Sequence, residues 1–248
     1  MRRGQHFLVD DRVAERQVAY AALSRDDVVL EIGAGNGALT RHLAEVAGRV
    51  IAIEIDAELA VGLENMENVE LVRRDALKVD FSALRFNKVV ANLPYQISSP
   101  VTFKLLEHSF DLGILMYQKE FAERLVAVPG SDAYARLSVM AQYAADWELL
   151  ETVSPGAFYP RPKVRSAIVR MTPRPPLFSV VDEDVFAEVV RALFSHRRKK
   201  IRNGLLAAGV IDRKQLESVP YVGQRAENLL PAQIGAISDA VAVLQGER

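Results

Sequence analysis

Five short apolar runs recur along the first half of the chain: DVVLEI, RVIAIEID, VELVRR, NKVVAN and LGILMYQ. Each is rich in Val, Ile and Leu, and most are separated by stretches whose apolar residues recur at helical spacing, such as ALTRHLAEVA and SSPVTFKLLEHS. A strand that is apolar on both faces needs cover on both faces. Helices alternating with such strands supply it, so the pattern predicts a mostly parallel sheet in an α/β fold.

The remaining elements extend this reading. DRVAERQVAYAAL, AELAVGLENM and KEFAERLVA read as helices, ARLSVMAQYAADWELLETV as a helix running into a strand, and SAIVRMTP as a last strand. ALTRHLAEVA ends at Gly48, as at a C-cap glycine. No full helix separates the last two strands, which predicts an antiparallel hairpin at the sheet edge. TPRPPLF, Thr172 to Phe178, reads as a linker, and helical stripes follow in DVFAEVVRALF, RNGLLAAG and LPAQIGAISDAVAVL. The expected division is a sheet domain over 1–172 and a small helical domain over 173–248.

Composition narrows the class. The 248 residues include no cysteine, which excludes a disulfide framework and thiolate chemistry. No apolar run approaches the ~20 residues of a membrane helix. MRRGQHFLVD has no apolar core of a secretory signal, so a cytoplasmic protein is expected. His6, His42, His108 and His196 show no metal-ligand spacing, and no metal is expected. The net charge of −1 is not that of a strongly basic nucleic-acid binder. Its distribution says more: Arg197, Arg198, Lys199, Lys200 and Arg202 crowd into HRRKKIR. Such a run is either a solvated helix face or a phosphate-contacting patch.

LEIGAGNGALT places Gly33, Gly35 and Gly37 between a strand and a helix, where glycine lets backbone approach a ligand. Glu54 ends the next strand, at the place where a carboxylate accepts from ribose hydroxyls. The spacing is G-x-G-x-G rather than the G-x-G-x-x-G of dinucleotide sites. Glu31, just before the loop, would repel a pyrophosphate but suits an ammonium or sulfonium. S-adenosylmethionine carries both, and Asp75 could accept from its adenine amino group. The plain alternative for Asp75 and Asp56 is helix capping.

NLPYQISSP follows the fourth apolar run. Asn and Pro are ordinary turn residues. Together, though, these residues fit methylation of an exocyclic amine, whose lone pair is delocalised into its ring. Asn92 offers a side-chain oxygen to the amine N–H groups. Leu93 offers a carbonyl whose direction Pro94 restricts. Tyr95 offers a ring on which a flipped-out base can stack.

EIGAGNGALT, AIEID, DAL, NLPYQISSP, QKEFAERL, PGSDAYARLSV, FYPRPKVRS and LFSHRRKKIRNGL occur in this order. Together they resemble the small-subunit ribosomal RNA adenine dimethyltransferases, the kasugamycin-resistance family, over nearly the whole chain and with an archaeal look. The resemblance implies a Rossmann-like class I methyltransferase domain followed by a small helical RNA-binding domain. It implies S-adenosylmethionine held by His6, Leu8, Gly33, Gly35, Glu54, Asp75 and Asn92. It implies a target adenine bracketed by Tyr95 and Phe158, with Asn92, Leu93 and Pro94 at the reacting amine. The implied partner is small-subunit ribosomal RNA or the small ribosomal subunit, the implied protein a monomer with no membrane association. Arg74 departs from the family, which usually has glycine before the acid. Competing readings are methylation of large-subunit ribosomal RNA or DNA, a non-catalytic assembly factor on the same fold, and, at the margin, a dehydrogenase.

Overall fold

A computed structural model of the chain describes residues 5–246. In chain order the elements are β1 (Phe7–Leu8), α1 (Asp11–Ala21), β2 (Val28–Ile32), α2 (Ala38–Val46), β3 (Arg49–Ile53), α3 (Ala57–Ala60) and β4 (Val69–Val72). Then come β5 (Lys88–Asn92), α4 (Ser98–Leu106), β6 (Leu112–Gln118), α5 (Lys119–Leu125), α6 (Arg136–Ala144), β7 (Ala145–Val153), β8 (Phe158–Tyr159) and β9 (Ser166–Pro173). Three helices close the chain: α7 (Glu183–Phe194), α8 (Ile201–Ala207) and α9 (Pro231–Gly246).

The main sheet has seven strands in the order β4-β3-β2-β5-β6-β9-β7. Neighbours from β4 to β6 run parallel, while β9 lies antiparallel to β6, with Leu115 opposite Val169. Val89, Val90 and Ala91 are wholly buried, as a strand covered on both faces must be. Val13 and Ala14 of α1 and Leu39 and Leu43 of α2 pack on one face against Val29, Val50, Val90 and Ile114. The chain winds outward from β2 to β4, then returns to lay β5 on the other side of β2. That reversal opens a crevice at the carboxyl ends of β2 and β5, where open α/β sheets take ligands.

Two local expectations change. Gly48 is not a left-handed cap: α2 ends at Val46 and Ala47 is extended, with φ −72°. Glycine is needed there because a Cβ would sit 2.0 Å from the Arg25 carbonyl oxygen. AELAVGLENM is helical only over α3 and a 3-10 turn, Val61–Leu63, because a β-branched residue followed by Gly62 is costly to continue. The expected pairing of the last two strands at the sheet edge is present, with β9 inside and β7 outermost. β8 leaves that sheet altogether and pairs with β1, Phe7 opposite Tyr159.

The chain forms two compact units and crosses between them more than once. The sheet unit runs through Ala122 and resumes from Asp146 to Pro173; the helical unit takes Glu123–Ala145 and the described residues from Arg174 onward. A single cut at residue 172 does not describe this. Residues 123–145 leave the sheet because α6 carries apolar residues that the C-terminal helices bury. The Tyr143 ring meets Phe178 and Phe186 at 5.1 Å each, and Val139 is wholly buried in the same cluster.

Candidate functional site

A cavity of about 400 Å³ opens in the sheet unit at the carboxyl ends of β2, β3 and β5. That is the size of a small-molecule site. His6, Gly33, Gly35, Glu54, Asp75, Asn92, Leu93, Pro94, Tyr95 and Phe158 all line it.

The floor is the loop after β2. Gly33 and Gly35 have φ of +79° and +57°, a region that side-chain-bearing residues rarely adopt. Space demands glycine as well: a Cβ on Gly33 would lie 3.0 Å from Pro94 Cδ, and one on Gly35 3.4 Å from the Phe7 ring. The glycine loop and the Asn-Leu-Pro-Tyr segment therefore touch, although they come from different strands.

Glu54 follows β3 and is 6% exposed. Its Oε2 accepts from the Gly35 N–H and its Oε1 from the Asp56 N–H, each at 2.8 Å. Two lone-pair directions remain, suited to a pair of hydroxyls. Asp75 lies three residues beyond the end of β4, in a turn where Oδ1 accepts from the Leu77 N–H at 3.0 Å. One oxygen thus caps the turn and the other is left for a ligand. Arg74, the departure from the family pattern, is exposed at the rim, its N–H bonded to the Val72 carbonyl at 3.0 Å.

Glu31 does not face this cavity. It is 2% exposed, with Oε2 buried and without a hydrogen-bond partner among the described residues. Burial pushes its carboxyl up to about 8, the Thr40 hydroxyl opposing and the Glu54 charge reinforcing the shift. The expectation that Glu31 meets a cationic ligand is corrected by strand alternation: Glu31 shares the face of Val29, beneath α1 and α2, while Ile32 reaches the cavity.

Asn92 is the last residue of β5, and its Oδ1 is buried with no hydrogen-bond partner among the described residues. A buried acceptor left open in this way is costly unless a ligand satisfies it. The Leu93 N–H bonds the Met116 carbonyl at 3.2 Å, and the Ile97 N–H bonds the Pro94 carbonyl at 3.0 Å, which holds the segment in a tight turn. The Tyr95 hydroxyl shares a 2.7 Å hydrogen bond with Ser166 Oγ at the start of β9. Burial raises its pKa, which the Ser166 bond partly offsets, so Tyr95 is a neutral ring at any working pH.

β1 and β8 close the cavity together. His6 Nδ1 donates to the Pro160 carbonyl at 2.7 Å, and its ring lies 6.0 Å from that of Tyr95. Alternation along β1 turns Phe7 into the cavity and Leu8 into the core, where it is 6% exposed beside Phe158. Leu8 can therefore offer a ligand only its backbone. Phe7 was missed by sequence reasoning. A two-residue strand carries too little periodicity to show which neighbour points inward. Ile55, Leu59 and Met116 line apolar stretches of wall with no signal beyond hydrophobicity.

The basic run lies in the helical unit. Arg198, Lys199, Lys200 and Arg202 are exposed and make no ion pair among the described residues. Arg197 differs: its guanidinium donates to the carbonyls of Asp132 at 2.6 Å and Tyr134 at 3.2 Å, holding the loop before α6.

The family model described as "Ribosomal RNA adenine dimethylase" matches residues 1–239. A "Probable ribosomal RNA small subunit methyltransferase A" of Methanosarcina acetivorans is 48% identical over 246 residues, covering 95% of this chain and 91% of the relative. One of the same name from Methanococcus vannielii is 42% identical over 250 residues, covering 95% and 94%. Among solved structures, a dimethyladenosine transferase from Plasmodium falciparum superposes with a TM-score of 0.78 at 28% identity, covering 97% of this chain and 98% of its own. The 23S ribosomal RNA methyltransferase ErmE does so at 0.70 and 29%, covering 95% and 99%. With a family model spanning nearly the whole sequence and relatives matched almost end to end, the chain belongs to the ribosomal RNA adenine dimethylase family.

Proposed function

We propose that this protein transfers methyl groups from S-adenosylmethionine to N6 of two adjacent adenines near the 3′ end of small-subunit ribosomal RNA. The observation that carries the reading is the open, buried Oδ1 of Asn92 at the carboxyl end of β5. It is an acceptor placed where the crevice at the reversal of strand order meets the Tyr95 ring. The choice of small-subunit RNA rests on the names borne by the curated relatives at 42–48% identity.

The residues present fit the cofactor. Glu54 keeps two acceptor directions for the ribose hydroxyls, Asp75 one free oxygen for the adenine amino group, and the glycine loop a backbone that can be approached closely. The cofactor supplies a methyl group already activated by a positively charged sulfur.

The protein's task is to prepare the amine. Tyr95 and Phe158 stack on the flipped adenine from two walls of the cavity. Asn92 Oδ1 and the Leu93 carbonyl accept its N6–H bonds, which draws the lone pair out of the ring and favours a pyramidal nitrogen. These acceptors are preorganised, so they stabilise charge as it develops rather than in the ground state.

The test is to incubate the protein with labelled S-adenosylmethionine and small subunits lacking the modification, then map the labelled nucleotides. Label on two adjacent adenines near the 3′ end supports the reading. Label confined to large-subunit RNA or DNA, or none at all, overturns it.

A further inference from the structure

The segment that follows the Phe158 wall is not used by this chemistry. From Ser154 to Met171 the chain has no acidic residue. Arg161, Lys163 and Arg165 are all exposed and take part in no ion pair among the described residues, whereas Arg170 beyond them is paired with Glu148. Tyr159 is 64% exposed and Val164 46%. The exposed ring and the three exposed cations fall within seven consecutive residues, 159–165.

The backbone that carries these groups is fixed. Tyr159 is paired with Phe7 of β1, and the Val9 N–H bonds the Ala157 carbonyl at 2.9 Å. His6 holds the Pro160 carbonyl, Pro162 is buried, the Lys119 N–H bonds the Arg165 carbonyl at 2.9 Å, and Ser166 is tied to Tyr95. Three unpaired cations and one aromatic ring thus project from a rigid strip that begins beside Phe158, a wall of the cavity. Tyr159 is opposite Phe7 and so shares its face of the two-stranded sheet, where it is 64% exposed, while its neighbour Phe158 is buried.

We infer that residues 159–165 form a single-stranded RNA platform beside the target-adenine site. Tyr159 stacks on a base neighbouring the flipped one, and Arg161, Lys163 and Arg165 hold the phosphates that lead to it. Cations interleaved with an aromatic ring are the combination that binds unpaired nucleotides. The inference rests on the reading of the cavity as an adenine site, and extends it to the nucleotides on either side. Two adjacent target adenines make such a platform useful, because one base must be held while the other is in the cavity.

The experiment measures binding of a short single-stranded RNA with two adjacent adenines, by fluorescence anisotropy across a salt series. The proteins are the full chain, the triple variant Arg161→Gln/Lys163→Gln/Arg165→Gln, Tyr159→Ala and Tyr159→Phe. The triple variant should flatten the log–log salt slope by about 0.7 for each phosphate that is no longer neutralised. Tyr159→Ala should bind about ten-fold more weakly with the slope unchanged, the scale of one stacked base. Tyr159→Phe should match the parent. Cofactor affinity, measured by calorimetry, should be the same in all four, which also shows that each variant is folded. A triple variant with the parent's slope and affinity overturns the platform, as does a parent that does not hold the RNA. A Tyr159→Ala variant with the parent's affinity overturns the stacking role. Failure of the parent to methylate any RNA, with these binding differences intact, would count against the proposed function and not against the platform.

Discussion

The Tyr95 hydroxyl and Ser166 Oγ, 71 residues apart in sequence, share a hydrogen bond of 2.7 Å. It joins the Asn-Leu-Pro-Tyr turn after β5 to the first residue of β9, and so fixes the plane of the ring proposed to receive the adenine. Loss of one such bond costs about 1 kcal/mol. Tyr95→Phe and Ser166→Ala should each lower kcat by up to about ten-fold, and the double variant no further, because both remove the same bond. Tyr95→Ala should raise KM for RNA as well, since a stacked base is worth about 1–3 kcal/mol. Additive losses in the double variant would show that the two residues act separately.

Asn92→Ala should reduce single-turnover methyl transfer by on the order of 100-fold, the scale of losing one preorganised electrostatic partner. RNA affinity should barely change, because the interaction strengthens in the transition state. Rapid-quench kinetics with saturating cofactor would measure this. A fully active variant would reduce the segment to a turn.

Glu54→Gln should weaken S-adenosylmethionine binding by about 1–3 kcal/mol, the range for hydrogen bonds to a charged group. The amide keeps one oxygen for a backbone N–H, so the loop should survive where alanine would strip both anchors. Calorimetry on the folded variant decides it, and unchanged affinity removes Glu54 from the cofactor site.

Replacing Arg198, Lys199, Lys200 and Arg202 with Gln should flatten the salt dependence of RNA binding, by roughly one unit of slope for each phosphate that the variant no longer holds. Cofactor binding should not move. Arg197→Gln should behave differently and lower thermal stability, because its guanidinium holds two carbonyls of the loop before α6. An unaltered slope in the fourfold variant would make the run a solvated face.

Glu31 gives a pH signature. Below its ordinary value of 4.5 the carboxyl is neutral in both states. From there to about 8 the unfolded chain ionises while the folded one keeps the proton, so stability falls as pH rises. Above that range the penalty is constant. Glu31→Gln should therefore gain stability over the parent, by an amount that grows across this window and is read as a Tm difference that widens with pH. A gain independent of pH would show that Glu31 is ionised in the folded protein.

Much of this molecule is legible along the chain because local chemistry constrains it. Uniformly apolar short runs demand a sheet covered on both faces, and Val89, Val90 and Ala91 have that cover. Glycines between a strand and a helix announce a close approach, and Pro94 announces a fixed turn after Asn92. These are properties of residues and their immediate neighbours.

Relationships between distant strands were decided only by the tertiary structure. The placement of β5 beside β2 brings Pro94 against Gly33, and nothing local specifies that pairing. The facing of single residues depends on it too: Glu31 into the core and not the cavity, Phe7 inward and Leu8 away. The same holds for α6, whose spacing says helix but not which unit buries it. Periodicity and steric demand act over a few residues and survive in a one-dimensional reading. Strand order, facing and burial come from apolar surfaces finding partners tens of residues away, and exist only once the chain has folded.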